Sequence, residues 1–330
     1  MIQKKVILAT RGSMLALWQA NYVADLLRAK GLDPTLNIIK TTGDVVQDRF
    51  LHEIGGKGLF IKELEEAMKA GQADLAMHSL KDLPVNIPEG FVLPAILKRH
   101  SACDAIIFKK DLYKNLGLTP AETLTAHHIK ALGPMRVATS SLRRQGLLEQ
   151  LKSGIIVQPV RGNVDTRLRK LEEQNWSALI LAEASLDRLS IKDVHAHRLD
   201  PSWFVPCAGQ GALSMETIDN SFLLETLKQL NCPETFLHVS IERSVLRALG
   251  GDCTMPFGCL VQEDGRQAGN LMGRAVVLDL EGASACAIHT MPRSEIKDGL
   301  EMSRALLAKL ETAGVRDVLR RLKISHRLDL

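Results

Sequence analysis

Short apolar runs alternate with helical patterns along the first part of the chain, and this alternation decides more about the fold than any other feature. The runs KKVILAT, TLNIIKT and DLAMHS are strand-like. Between them lie a helical pattern through Leu17, Trp18 and Leu26 that ends near Gly31, and a second, GLFIKELEEAMKAG. The pattern then recurs as RVATS, the helix SLRRQGLLEQL, GIIVQPV, the helix NVDTRLRKLEEQ, and SALILAEAS. Strands separated by helices favour a mostly parallel sheet covered by those helices, so the expected class is α/β.

The two stretches echo each other. Ala9-Thr10-Arg11-Gly12-Ser13 and Ala138-Thr139-Ser140-Ser141 both sit where a strand hands over to a helix, and Ala73–Met77 and Ala178–Ala182 both read as third strands. Two similar α/β domains facing each other across a cleft is one reading; two generic βα units alike by chance is the other. With 330 residues the chain exceeds one ordinary core. Beyond Pro233 the style changes to a long helix, TFLHVSIERSVLRAL, then Gly250-Gly251, β-like runs (CLVQED, NLMGRAVVLDL, SACAIHT) and further helices. The expected domains are 1–98 with 211–230, 103–205, and a small α+β domain at 233–330. GALSMET returns to the first domain's sheet, and the crossings near 98–103 and 203–210 act as hinges.

Composition narrows the function classes. Aromatic residues make up only 4% and no Lys/Arg block is interleaved with them, which leaves single-stranded nucleic-acid binding without its stacking platform. The formal net charge of +4 fits an anionic small molecule equally well. MIQKKVILATRGS is too short and too polar for a signal peptide or a membrane span, and no later run reaches membrane length. Cysteines 103, 207, 232, 253, 259 and 286 form no C-x-x-C pair. Free thiols, a reducing cytoplasm and no structural metal are therefore expected.

Arginines and hydroxyls concentrate at the β-to-α junctions: Arg11 and Ser13; Thr139, Ser141, Arg143 and Arg144; and Arg161-Gly162-Asn163 with Arg167 one turn on. Helix N-termini offer free N–H groups, and guanidinium forks match carboxylates two bonds at a time. Any one of these arginines also reads as a solvated surface residue. In His78-Ser79-Leu80-Lys81-Asp82-Leu83-Pro84, Asp82 is placed to hydrogen-bond a ring N–H and move a proton, and the same stretch reads as a turn. His78, at the end of an apolar strand, reads as a structural histidine. Gly55-Gly56-Lys57-Gly58 lacks P-loop spacing and reads as a mobile segment carrying one lysine. Gly250-Gly251-Asp252-Cys253-Thr254 sets a cysteine on a glycine turn, which suits an accessible thiol or an inert one.

Taken together, ATRGSMLALWQA, GGKGLFIKELE, ADLAMHSLKDLP, TSSLRRQ, RGNVDTRLRKL, GQGAL and GGDCTMPFG occur in an order and spacing that resemble the porphobilinogen deaminase (hydroxymethylbilane synthase) family along nearly the whole chain. The resemblance implies three domains, the first two doubly wound and similar to type II periplasmic-binding-protein domains. It implies a transferase that condenses four porphobilinogen molecules head to tail, losing ammonia at each step and releasing hydroxymethylbilane for uroporphyrinogen-III synthase. Growth starts from a dipyrromethane cofactor held by a thioether, which corresponds to Cys253. Asp82 matches the catalytic aspartate. Lys81, Ser13, Thr139, Ser141, Arg143, Arg144 and Arg188 match cofactor-binding positions, and Arg11, Lys57, Arg161, Arg167 and Gln210 substrate-binding ones. No metal, no nucleic acid, no membrane and a monomer are implied.

Four positions depart from the family pattern: Asp252 precedes the cysteine, Cys207 stands in the Pro-Cys-Ala-Gly-Gln segment, Ala138 replaces a common glycine and Ser185 a usual one. Two other readings compete. A non-catalytic anion receptor with the same two-domain cleft has no use for Asp82 or Cys253 and expects an export signal. A basic nucleic-acid-binding protein is opposed by the acidic residues interspersed among the basic ones.

Overall fold

The computed structural model describes residues 4–45, 61–251 and 255–324. Its strands are, in chain order, β1 (Lys4–Thr10), β2 (Leu32–Ile38), β3 (Leu75–Ser79), β4 (Phe91–Ile96), β5 (Asp104–Phe108), β6 (Arg136–Ala138) and β7 (Ile156–Gln158). They continue with β8 (Ala178–Ala182), β9 (His195–Arg198), β10 (Leu213–Ile218), β11 (Phe257–Glu263), β12 (Asn270–Leu278) and β13 (Ser284–Pro292). Two compact units result, Met1–His100 with Gly211–Phe236, and Ser101–Gln210 with Leu237–Leu330.

The first unit holds a five-stranded sheet in the order β2-β1-β3-β10-β4. β1 pairs parallel with β2 and β3, while β10 runs antiparallel to both β3 and β4. The second unit repeats this plan as β7-β6-β8-β5-β9, with β6 parallel to β7 and β8, and β5 antiparallel to β8 and β9. The echo between the two stretches is therefore architectural: β1 matches β6, and the third strands β3 and β8 match each other. One difference separates them. The antiparallel strand enters late in the chain in the first unit and first in the second.

Burial on both faces explains the apolar runs. In β3, Leu75 and Met77 join Val6, Leu8, Val23 and Leu27 on one side, while Ala76 packs with Leu64, Ala67 and Met68 on the other. In β8, Ala178 and Ile180 face Phe108, Leu147 and Phe204, and Leu179 and Leu181 face Val160, Leu171 and Leu186. Strands covered on both faces lose the alternation of a half-exposed strand and read as continuous hydrophobic segments. β2 begins earlier than the sequence pattern places it and takes in Pro34. Its edge position tolerates that residue, which has no N–H to give a ladder.

The second unit also carries the expected small sheet, an antiparallel meander β11-β12-β13. The helices Leu300–Thr312 and Val315–Arg321 pack on it. Its Leu260, Val276 and Leu278 enter the same core as Ile106, Phe108 and Phe204, so the two sheets of this unit share one apolar interior. The segment 203–210 is held within the unit: Cys259 N donates to Pro206 O at 2.8 Å, and the buried Glu242 accepts from Gly209 N at 2.7 Å and Val261 N at 2.9 Å. No helix among the described residues is long and apolar enough to cross a membrane.

One close approach fixes how the helix Leu142–Glu149 lies on the small sheet. A Cβ at Gly146 would stand 2.9 Å from Leu278 Cβ and 3.0 Å from Asp279 O. Gly146→Ala should destabilise the protein by about 1–3 kcal/mol in denaturant unfolding, because overpacking against backbone outweighs the gain of about 1 kcal/mol in helix propensity. A stabilised variant would mean that the helix is free to move off the sheet.

Candidate active site

The proposed site residues in the first unit stand at the carboxyl ends of parallel strands. Arg11 follows β1, and Ser13 caps the helix Met14–Ala29, its Oγ accepting from Ala16 N at 3.3 Å. β3 runs into a 3-10 turn, Leu80–Asp82. Leu80 and Leu83 are buried on either side of it, and Leu80 N donates to Ala212 O at 3.0 Å. That anchoring leaves Lys81 half-buried and Asp82 exposed. The turn and the outward carboxylate are therefore compatible: the two leucines make the turn, and the turn presents the acid.

Behind this turn lies a buried polar group. His78 Nε2 stands 3.0 Å from Glu216 Oε2, with 6% and 0% of the side chains exposed. His78 thus has the structural role expected of it, with a carboxylate partner that local sequence does not disclose. Gln19 Nε2 donates to Ser79 Oγ at 3.1 Å, tying β3 to the first helix. Glu65, on the helix Lys62–Lys69, is held above the usual carboxylate range, first by burial and then by the negative charge of Glu216.

The second unit collects the arginines in the same way. After β6, Thr139 Oγ1 accepts from Ser141 N at 3.2 Å, and Ser141 caps the helix Leu142–Glu149 through Arg144 N at 3.5 Å. After β7 comes Arg161, whose carbonyl accepts from Lys170 Nζ at 3.1 Å. Gly162 has φ 111°, and a Cβ there would meet Thr166 Cγ2 at 2.7 Å, so this junction requires glycine. Arg167 Nε donates to Gly162 O at 2.7 Å, which holds that side chain along the helix Val164–Glu173. After β8, Arg188 ends the helix Glu183–Arg188 and is 4% exposed.

Three of these residues meet around one side chain that the sequence does not single out. Asp104 opens β5 and is 0% exposed. Its Oδ1 accepts from Arg144 Nε at 3.0 Å, Arg144 Nη2 at 2.6 Å and Gln210 Nε2 at 3.2 Å, and Arg143 Nη2 lies 2.8 Å from Oδ2. Arg144 Nη1 also donates to Ile180 O, and Arg143 Nη1 to Val205 O, both at 2.8 Å. Gln210 Nε2 reaches Ala102 O at 2.7 Å, and Cys207 Sγ lies 3.5 Å from Gln210 Oε1. Arg143 and Arg144, each of which reads from sequence as a candidate surface residue, are instead almost fully buried. A hint is present: two adjacent arginines opening a helix require a counter-charge, and an acid heading the apolar run DAIIF supplies one.

Arg143, Arg144 and Asp104 together bring two cations and one anion, and no acidic residue lies in the first turn of that helix. Its positive N-terminal dipole adds to the surplus. Arg143 Nε is buried with no hydrogen-bond partner among the described residues. A carboxylate complements this donor set, so the residues fit a carboxylate-bearing cofactor. Lys57, Asp252 and Cys253 lie outside the described residues.

Capped helices and guanidiniums gathered after parallel strands define a class, an α/β protein whose strand ends present arginines beside helix N-termini. The family model described as "Porphobilinogen deaminase, dipyromethane cofactor binding domain" matches residues 6–225. The chain is 42% identical to the porphobilinogen deaminase of Sulfurimonas denitrificans over 259 residues, 77% of this chain and 78% of that one. It is 39% identical to that of Methylobacillus flagellatus over 319 residues, 96% of this chain and 97% of the other. The chain belongs to the porphobilinogen deaminase family, a family of transferases, and contains its dipyrromethane-cofactor domain. Among solved structures, substrate binding domain 2 of Lactococcus lactis GlnP aligns with 75% of this chain and 91% of its own at 12% identity and TM-score 0.43, a likeness too weak to bear on function.

The Glu65 environment has a pH signature. A carboxyl whose folded pKa is raised binds more protons in the native state than unfolded, so it erodes stability as pH climbs from about 4.3 through the raised value. Glu65→Gln should match the wild type in thermal unfolding at about pH 3 and exceed it at about pH 7. An equal effect at both pH values would show that the surroundings do not raise the pKa of Glu65.

Proposed function

We propose that the chain catalyses the stepwise head-to-tail condensation of four porphobilinogen molecules, releasing ammonia at each step and finally hydroxymethylbilane. The observation that carries this reading is the arrangement of one exposed carboxylate, Asp82, after β3 and a set of buried or half-buried arginines after β1, β6, β7 and β8. Each pyrrole brings an acetate and a propionate, so negative charge accumulates as the chain lengthens, and recurrent guanidiniums answer that accumulation.

In this reading Asp82 accepts a hydrogen bond from the pyrrole N–H of the incoming unit. Its negative charge stabilises the cation left when the amine departs, and its carboxylate then receives the proton released after the new carbon–carbon bond forms. Lys81 beside it counters a carboxylate of the bound chain. Arg11, Lys57, Arg161, Arg167 and Gln210 bind and orient the substrate, while Ser13, Thr139, Ser141, Arg143, Arg144 and Arg188 hold the cofactor. Gln210 enters through the Asp104 cluster and so also braces the cofactor side. Bound dipyrromethane would supply the nucleophilic pyrrole carbon for the first addition, attached as a thioether to Cys253 in the domain 233–330. The domains 1–98 with 211–230 and 103–205 carry the acid and most of the arginines respectively. A monomer in the cytoplasm that yields its product to uroporphyrinogen-III synthase completes the proposal.

Asp82→Asn tests the chemistry. The variant keeps the hydrogen-bonding shape and, being exposed, should unfold within about 0.5 kcal/mol of wild type. Turnover of porphobilinogen should fall by about 10²–10⁴-fold. Near-wild-type turnover would remove Asp82 from the mechanism.

A further inference from the structure

We propose that Asp104 is a positioning residue for this reaction, holding the guanidiniums of Arg143 and Arg144 in the orientation that receives a cofactor carboxylate. The proposal rests on the reading that those two arginines bind the cofactor. In this proposal Asp104 acts through the arginines.

Successive residues on a helix point about 100° apart, so Arg143 and Arg144 share a target only if it sits between them. Asp104 occupies that place: its Oδ1 accepts two hydrogen bonds from Arg144, and its Oδ2 makes an ion-pair contact with Arg143 Nη2 at 2.8 Å without hydrogen-bond geometry. The side chain is fully buried at the head of β5, whose strand is locked between β8 and β9, so the anchor has little freedom to follow a moving arginine. Gln210 adds a further donor and is itself held to Ala102 O.

Charge points the same way. Without Asp104, two buried guanidiniums would repel each other at the positive end of a helix and turn apart. With it, these three side chains keep one unit of positive charge, and Arg143 Nε has no hydrogen-bond partner among the described residues. The carboxylate thus does two things at once. It cancels enough charge to let both arginines stay buried, and it leaves enough to attract one ligand carboxylate. A neutral residue of the same shape would leave both guanidinium charges uncompensated in the interior.

The test uses the holo-protein and three variants: Asp104→Asn, Asp104→Glu and Arg144→Gln. Porphobilinogen meets other residues, so Asp104→Asn should lower kcat by about ten- to a hundredfold, as displaced reacting groups do. KM should stay within about threefold, since ground-state substrate binding is untouched. Asp104→Glu restores the charge one methylene further out and should recover part of the lost kcat. Wild-type kcat in both Asp104 variants, with a damaged Arg144→Gln, overturns the positioning role and leaves the cofactor reading standing. Wild-type turnover and adduct mass in Arg144→Gln overturns both. If neither Asp104 variant folds, as judged by thermal unfolding, the residue is structural and the proposal is likewise overturned.

Discussion

Parallel pairing obliges each strand to be followed by a crossover that returns to the start of the next, so all the strand-to-helix junctions of a sheet fall at one edge. In this chain that constraint operates twice. β1 in the first unit, and β6, β7 and β8 in the second, each lead into a helix start at the carboxyl end of the sheet, while β3 leads into the 3-10 turn Leu80–Asp82. Hydroxyls at these places cap helices, as Ser13 and Ser141 do, and arginines stand beside them where the helix dipole favours negative charge. Distribution of the polar residues follows from the topology, which gathers residues far apart in sequence at one end of each sheet.

Arginine clusters at helix starts carry an electrostatic cost, and the second unit shows how it is met. Burying Arg143 and Arg144 without a partner would be prohibitive, and removing one member of a buried pair typically costs about 3–5 kcal/mol. Asp104 answers that cost only in part, leaving a surplus of positive charge on the three side chains. The first unit handles its buried charge differently. His78 and Glu216 pair in the interior, and the pKa of Glu65 is raised first by burial and then by the nearby Glu216 carboxylate.

Much of the fold is legible in the amino-acid sequence. The alternation of KKVILAT, DLAMHS, RVATS and SALILAEAS with helical patterns announces the parallel sheets, and the likeness between Ala9–Ser13 and Ala138–Ser141 marks two strands that occupy the same place in the repeated plan. The arginines are legible because they recur at junctions. Their partners are not. β5 escapes notice because its apolar body, AIIF, has no period, being covered on both faces, and with it goes Asp104. Glu216 is hidden inside GALSMET, where a single acid on a strand looks like a solvent-facing residue until β10 is placed between β3 and β4. Pairings across tens of residues depend on which strands become neighbours, and local pattern carries no information about that.

If the anion-holding strand ends serve a cofactor anchored covalently at Cys253, the purified protein must carry it. Intact-protein mass spectrometry tests this directly. The expected result is a single species heavier than the sequence by one dipyrromethane, and an unmodified mass for Cys253→Ser. A wild-type protein that turns over porphobilinogen with no adduct, or an adduct retained by Cys253→Ser, would contradict it.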